Sequence, residues 1–245
     1  MSRIKETLKG LRNRGEKALV VYITGGYPSL EITEEMVVRF ASSGADIIEL
    51  GIPFSDPIAD GPVIQTASCQ ALEGEVTVTG ILEMVYRVRQ HTQVPLVLMS
   101  YYNPIMQMGL QEFCRHAVRS GVDGLIVPDL PREESAPLIE SAEHEGIDVV
   151  PLVAPTSPPG RIAAICAQAR GFVYCVSVAG VTGERQQIKT DLVSLTGAIR
   201  QCTDLPMAPL CDGVVVGSAL VRLMMEGSFN RAEELAREIK SAINQ

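Results

Sequence analysis

The stretch ADIIELGIPFSDPIADGP, residues 45–62, opens as an apolar run and closes as a loop stiffened by Pro53, Pro57 and Pro62. A continuously apolar run of this length reads as a strand covered on both faces. Glu49 interrupts it near the C-terminal end. Side chains alternate along a strand, so Ile47, Glu49 and Gly51 share one face, and Ile48 and Leu50 the other. If the Ile48/Leu50 face meets helices, Glu49 points into the interior of a barrel near its mouth. Asp56 and Asp60 then follow in the loop.

Runs of the same kind recur along the chain: ALVVYIT (18–24), PLVLMSY (95–101), DGLIVPD (123–129), DVVPLVA (148–154), FVYCVSV (172–178) and DGVVVGS (212–218), with a weaker LPMA at 205–208. Between them lie segments of helical period, among them LEITEEMVVRFASSG, TGILEMVYRVRQHT, LQEFCRHAVRSG, EESAPLIESAEHEG and GRIAAICAQARG. Several end in glycine, as helices often do. Alternating strands and helices imply βαβ units and a parallel sheet. Eight such units in 245 residues predict a single-domain (β/α)8 TIM barrel over residues 1–245, of class α/β. A doubly wound sheet is the alternative. Against it, no G-x-G-x-x-G follows the first strand, and polar residues recur at many strand ends instead of at one switch point. The N-terminal segment predicts an extra amphipathic helix with Ile4, Leu8 and Leu11 on one face.

One spacing breaks the pattern. Only Pro209, Leu210 and Cys211 separate LPMA from DGVVVGS, whereas parallel neighbours need a crossover of about a dozen residues. The seventh βα unit is therefore truncated, or residues of it are missing.

Composition narrows the function. Apolar residues make up 46 % of the chain and charged residues 20 %, with a net charge of -8. No basic run can track a phosphate backbone, so nucleic acid is not an expected partner. No apolar run is long enough to span a bilayer, and the charged N-terminus lacks a signal-peptide core. A cytoplasmic protein is expected, with no membrane association. Six scattered cysteines without a C-x-x-C pair read as buried reduced thiols. His91, His116 and His144 fall on outer helices, and no metal site is expected.

A carboxylate inside a barrel is costly to ionise, so the Glu49 pKa should rise, which suits a group that both gives and takes protons near neutrality. Its bland alternative is a buried structural glutamate paired with a cation. Asp56 and Asp60 are also ordinary turn residues, and Asp60-Gly61-Pro62 could start a helix. VAGVTGE (178–184) and GSALV (217–221) follow strands six and eight. Glycine loops and helix starts at these places bind phosphate, although Gly-Ser is also a common cap. Tyr22, Tyr101, Tyr102 and Tyr174 lie on or just beyond strands, where they can wall a flat aromatic ligand or simply pack.

ELGIPFSDPIADGPVIQ, SYYNP, GVDGLIVPDLP, VAGVTGER and DGVVVGSALV, in that order over nearly the whole chain, resemble the tryptophan synthase alpha subunit family. The resemblance implies a lyase of tryptophan biosynthesis that cleaves indole-3-glycerol phosphate to indole and glyceraldehyde 3-phosphate by retro-aldol chemistry. It implies no cofactor in this chain, with pyridoxal phosphate only in a beta-subunit partner, and an αββα complex. Glu49 matches the family's acid/base and Asp60 the carboxylate that holds the indole N–H. Tyr22, Tyr102 and Tyr174 match pocket-lining positions, Thr182 and Gly183 a closing loop, and Gly183, Gly217 and Ser218 phosphate contacts. Asp56 is expected at the partner surface or bracing its loop. The chain departs from the family after Met207-Ala208, where a glycine-rich phosphate loop and a helix would follow. Two other readings stay open: a catalytically weak subunit that binds and modulates its partner, and another phosphate-binding barrel isomerase or synthase.

Overall fold

The computed structural model describes residues 2–176, 192–209 and 211–245. Helix α1 (Arg3–Arg14) leads into β1 (Ala18–Thr24), α2 (Leu30–Ser42), β2 (Ile47–Gly51), α3 (Pro62–Glu73), α4 (Val78–Val88) and β3 (Leu96–Met99). Then come α5 (Tyr102–Met108), α6 (Leu110–Ser120), β4 (Gly124–Ile126), α7 (Ala136–Glu145), β5 (Asp148–Val149), β6 (Leu152–Val153), α8 (Pro159–Gln168) and β7 (Val173–Cys175). The last described elements are α9 (Leu192–Arg200), β8 (Met207–Ala208), β9 (Gly213–Val216), α10 (Ser218–Met225) and α11 (Phe229–Ala242).

The strands pair in parallel as β5-β4-β3-β2-β1-β9 and as β6-β7-β8. β5 and β6 are two halves of one barrel strand, divided at Val150-Pro151. Pro151 has no N–H to donate, yet its carbonyl accepts from Tyr174 N–H at 2.9 Å, while Val150 N–H turns the other way to Leu125 O at 2.9 Å. Counted so, the barrel has eight strand positions, as the sequence predicts. The strands are shorter than the apolar runs: 123–129 yields Gly124–Ile126 and 172–178 yields Val173–Cys175.

Alternation sorts the core into layers. Ile48 and Leu50 join the cluster beneath the outer helices, with Phe40, Met84 and Phe113. Ile47 turns inward to Val20, Val97, Ile126, Val150 and Phe172. Ile4, Leu8 and Leu11 of α1 belong to this inner cluster, so the predicted amphipathic helix plugs the barrel base. Gly124 makes room for it: a Cβ there would stand 2.8 Å from Ile4 Cδ1. A lock of charge lies at the same end. The buried Asp123 carboxylate accepts from Arg3 Nη1 at 2.8 Å, Arg89 Nη2 at 2.5 Å and Leu96 N–H at 2.8 Å.

The seventh position is a stub. Among the described residues no helix lies between β8 and β9, and β8 has only two residues. Only Pro209, Leu210, Cys211 and Asp212 separate β8 from β9, the short spacing read from the sequence.

All six cysteines are free; Cys114, Cys166 and Cys175 are buried, whereas Cys69 and Cys202 are exposed and Cys211 half-buried. Burial of the thiols is thus only partial. No described helix is long and apolar enough to cross a membrane.

Candidate active site

Glu49 sits in β2 with Tyr22 of β1 on one side and Val97 of β3 on the other. It is 0 % exposed, and neither carboxylate oxygen has a hydrogen-bond partner among the described residues. Among the described residues no cation pairs with it, as a buried structural glutamate would need. Burial first, and then the charge of Asp60, push its pKa up to about 8.

Asp60 arrives from the proline-rich loop and is 6 % exposed. It does not cap the following helix: Gly61 holds the cap position of α3 and Pro62 its first turn. Its side chain is instead held by Tyr101, whose hydroxyl donates to Asp60 Oδ2 at 3.1 Å. The same hydroxyl accepts from Ala59 N–H at 2.9 Å, which ties the loop to the end of β3. Gln65 Nε2 donates to Asp60 O at 2.9 Å and Asp60 N–H to Pro57 O at 3.0 Å. Burial raises the Asp60 pKa to about 6, and the Tyr101 hydrogen bond partly opposes the shift.

Tyr22 is buried, and its hydroxyl is pushed well up by burial and then by Asp60 and Glu49. It lies over Gly51, where a Cβ would come within 2.2 Å of the Tyr22 hydroxyl oxygen. Tyr174 is half-buried, with its hydroxyl raised by burial, Glu49, Tyr22 and Asp60. Tyr22, Glu49, Asp60 and Tyr174 thus form one electrostatic group inside the barrel.

Tyr102 belongs elsewhere. Its N–H donates to Asp129 at 2.9 Å at the start of α5, and its half-buried ring packs on the outer cluster. The tyrosine at the site is Tyr101, which also stacks on Phe54 with centroids 5.1 Å apart. Strand parity carried the signal: Val97, Met99 and Tyr101 fall on the face that holds Glu49 and Gly51, their register partners being Val97 and Met99.

Gly217 precedes α10, and Ser218 is its first residue; neither is fully buried. Thr182 and Gly183 lie outside the described residues. Asp56 is exposed and accepts from Ser55 Oγ at 2.6 Å, bracing the loop. Ile58, on the same loop, is 75 % exposed. A cavity of about 460 Å³ opens elsewhere, beside the ends of β4 and β6, lined by Asp129, Arg132, Thr156 and Arg161 among others. It contains neither buried carboxylate. Among the described residues no cluster of three His, Cys, Asp or Glu could hold a metal ion.

The arrangement can hold a protonated Glu49 beside an ionised Asp60 near neutral pH. One group can then move a proton while the other stabilises a developing positive charge.

The model of the family described as tryptophan synthase alpha chain matches residues 8–245. The alpha chain of Geobacter sulfurreducens is 47 % identical over 261 residues, spanning 100 % of this chain and 97 % of that one. That of Carboxydothermus hydrogenoformans is 45 % identical over 249 residues, spanning 96 % and 93 %. Among solved structures, tryptophan synthase of Mycobacterium tuberculosis in space group F222 superposes with a TM-score of 0.92 at 34 % identity, covering 100 % of this chain and 99 % of that chain. A chain from Aquifex aeolicus VF5 superposes with a TM-score of 0.92 at 37 % identity, with 100 % of each covered.

Proposed function

The chain belongs to the tryptophan synthase alpha chain family, and on that premise we propose that Glu49 and Asp60 carry out its lyase reaction. The substrate is indole-3-glycerol phosphate, and the products are indole and glyceraldehyde 3-phosphate. The observation that carries the assignment is a wholly buried carboxyl at position 49, with no hydrogen-bond partner for either oxygen among the described residues and its pKa pushed up to about 8.

Glu49 is protonated at neutral pH. It gives its proton to C3 of the indole ring, which turns the ring into an electron sink. Positive charge develops at the ring nitrogen, where ionised Asp60, held by Tyr101, accepts the N–H and stabilises it. Glu49, now a carboxylate, takes the proton of the hydroxyl on the adjoining glycerol carbon. The C–C bond breaks, its electrons return to the ring, and that carbon becomes the aldehyde. The proton borrowed from Glu49 has been replaced, so the pair needs no outside acid and no group beyond its own side chains. Tyr22 and Tyr174 wall the ring.

The enzyme serves tryptophan biosynthesis with a tryptophan synthase beta subunit as partner, and pyridoxal phosphate belongs to that subunit. Cytoplasmic residence fits this role. The exposed Ile58 and Asp56 on the loop that ends at Asp60 support docking of the partner there.

Glu49→Gln should lower indole release by about 10³-fold or more with the fold retained. Substantial turnover in that variant removes Glu49 from the proposed role. The truncated seventh position favours a second reading, a subunit that mainly binds and modulates its partner. Indole formation by the wild-type chain, assayed with and without the beta subunit, separates the two.

A further inference from the structure

Among the described residues, four buried side-chain atoms have no hydrogen-bond partner: both carboxylate oxygens of Glu49, Oγ1 of Thr24 and Nε of Arg132. Arg132 lines the separate cavity beside β4 and β6. Thr24 belongs with Glu49. Along β1, Leu19, Val21 and Ile23 join the outer cluster and Ala18 and Val20 the inner one, so Tyr22 and Thr24 continue the inward row. Thr24 is 1 % exposed. It pairs with Gly51, two residues above the Tyr22–Glu49 pair, or about 7 Å along the strands. Gly51 has no side chain, so on the β2 side the place beside Thr24 is filled by the Tyr22 hydroxyl. That hydroxyl is close enough for Thr24 to ease its ionisation, yet no well-formed hydrogen bond joins the two.

The strand order β3-β2-β1-β9 lays the substrate out in sequence. Asp60, held by Tyr101 just beyond β3, takes the ring N–H. Glu49 on β2 serves C3 of the ring and the first glycerol hydroxyl. The phosphate falls to the start of α10 after β9, at Gly217 and Ser218. Gly217 packs beside β1: a Cβ there would stand 3.1 Å from Tyr22 Cβ. Since β1 lies between β2 and β9, the part of the substrate that passes Thr24 is the middle of the glycerol chain. That part carries one polar group which none of these residues serves, the second hydroxyl.

A hydroxyl that enters a dry chamber gives up its bonds to water and must find a replacement. The same holds for Thr24, whose hydroxyl is already out of water in the free protein. Each group is what the other lacks. A site built to bond a substrate hydroxyl also rejects the analogue without it, because its own buried group is then left unpaired.

We propose that Thr24 binds the second hydroxyl of the glycerol chain and gives the lyase its preference for substrates that carry it. The inference rests on the lyase reading and adds a specificity-determining residue to it. The test is a cycle of two substrates and two proteins, with the full chain assayed beside its beta subunit for release of the aldehyde. One substrate is indole-3-glycerol phosphate. The other is its analogue lacking only the second hydroxyl, which keeps the first hydroxyl and so can still be cleaved. Wild type should prefer the complete substrate by about 10- to 100-fold in kcat/KM. Thr24→Val should bring the two within about 3-fold, chiefly by slowing the complete substrate, and Thr24→Ala should do the same. Thr24→Ser, which keeps the hydroxyl, should keep the preference. A purely structural threonine would slow both substrates alike, and a preference that survives in Thr24→Val or Thr24→Ala overturns the inference while leaving the lyase reading in place. Failure of wild type to cleave indole-3-glycerol phosphate removes the lyase reading itself, and the inference with it.

Discussion

The Tyr101 hydroxyl stands between Asp60 and the loop that delivers it, donating to Asp60 Oδ2 at 3.1 Å and accepting from Ala59 N–H at 2.9 Å. One phenol thus fixes both the position and the charge of the carboxylate. Tyr101→Phe should cost about 1 kcal/mol of stability and lower kcat/KM by roughly 10- to 100-fold. The lost hydrogen bond also favoured the ionised form. The acidic limb of the pH–rate profile should therefore move above about 6, and a limb that stays in place would separate Tyr101 from Asp60.

The proposed chemistry needs Asp60 ionised and Glu49 protonated. With pKa values of about 6 and about 8, that combination dominates between those two pH values. A plot of kcat/KM against pH should be bell-shaped with limbs near both, reporting the pair as a unit.

Glu49 also sets a slope in stability. In the unfolded chain it ionises at about its ordinary 4.5, but in the fold it resists until about 8. The unfolded state therefore loses its proton first, and stability falls as pH rises from about 4.5 to about 8. Glu49→Gln abolishes this slope. Urea titrations should find the variant more stable than wild type at pH 8, by on the order of 3 kcal/mol, with a much smaller difference at pH 4.5.

Gly51 is constrained by its neighbour across the sheet. A Cβ at this position would lie 2.2 Å from the Tyr22 hydroxyl oxygen and 2.8 Å from its Cζ. Gly51→Ala should displace Tyr22, cost roughly 1–3 kcal/mol and impair turnover. Adding Tyr22→Phe removes the closer clash only, so the double variant should recover stability in part.

At the opposite end, Asp123→Ala would strip a buried carboxylate from Arg89, whose side chain is 7 % exposed. The guanidinium keeps the Gly121 and Val94 carbonyls but loses its counter-charge. A loss of about 3 kcal/mol is expected in denaturant titration.

How far the sequence could be read depended on the kind of signal. The strands announced themselves because a parallel barrel buries both faces, leaving runs such as ALVVYIT. Their ends did not, because a ladder stops where its neighbour stops, whatever the side chains. Thus 123–129 contracts to Gly124–Ile126. Glu49 was legible as a lone acid in an apolar run. Asp60 was not separable from turn chemistry until Tyr101 was placed beside it. The SYYNP motif points to Tyr102, whereas counting by twos from Val97 reaches Tyr101, the tyrosine that bonds Asp60. For α1, periodicity revealed an apolar face but not its destination, which depends on the missing Cβ of Gly124 far along the chain.

The break at Pro151 and the stub at Met207–Ala208 divide the ring into a six-strand arc and a three-strand arc. The smaller arc has its own outer nucleus, in which Val153, Ile162, Val173, Leu195, Ile199 and Met207 pack together apart from the main cluster. With so few ladder bonds at either seam, the two arcs need not come apart together. Amide protons of β6, β7, α8 and α9 should exchange through a shared, low-energy opening, while those of β1 and β2 persist until the whole molecule unfolds. Tyr174 is carried by the looser arc and Glu49 by the firmer one, so that opening would part the two sides of the catalytic chamber before the barrel itself is lost.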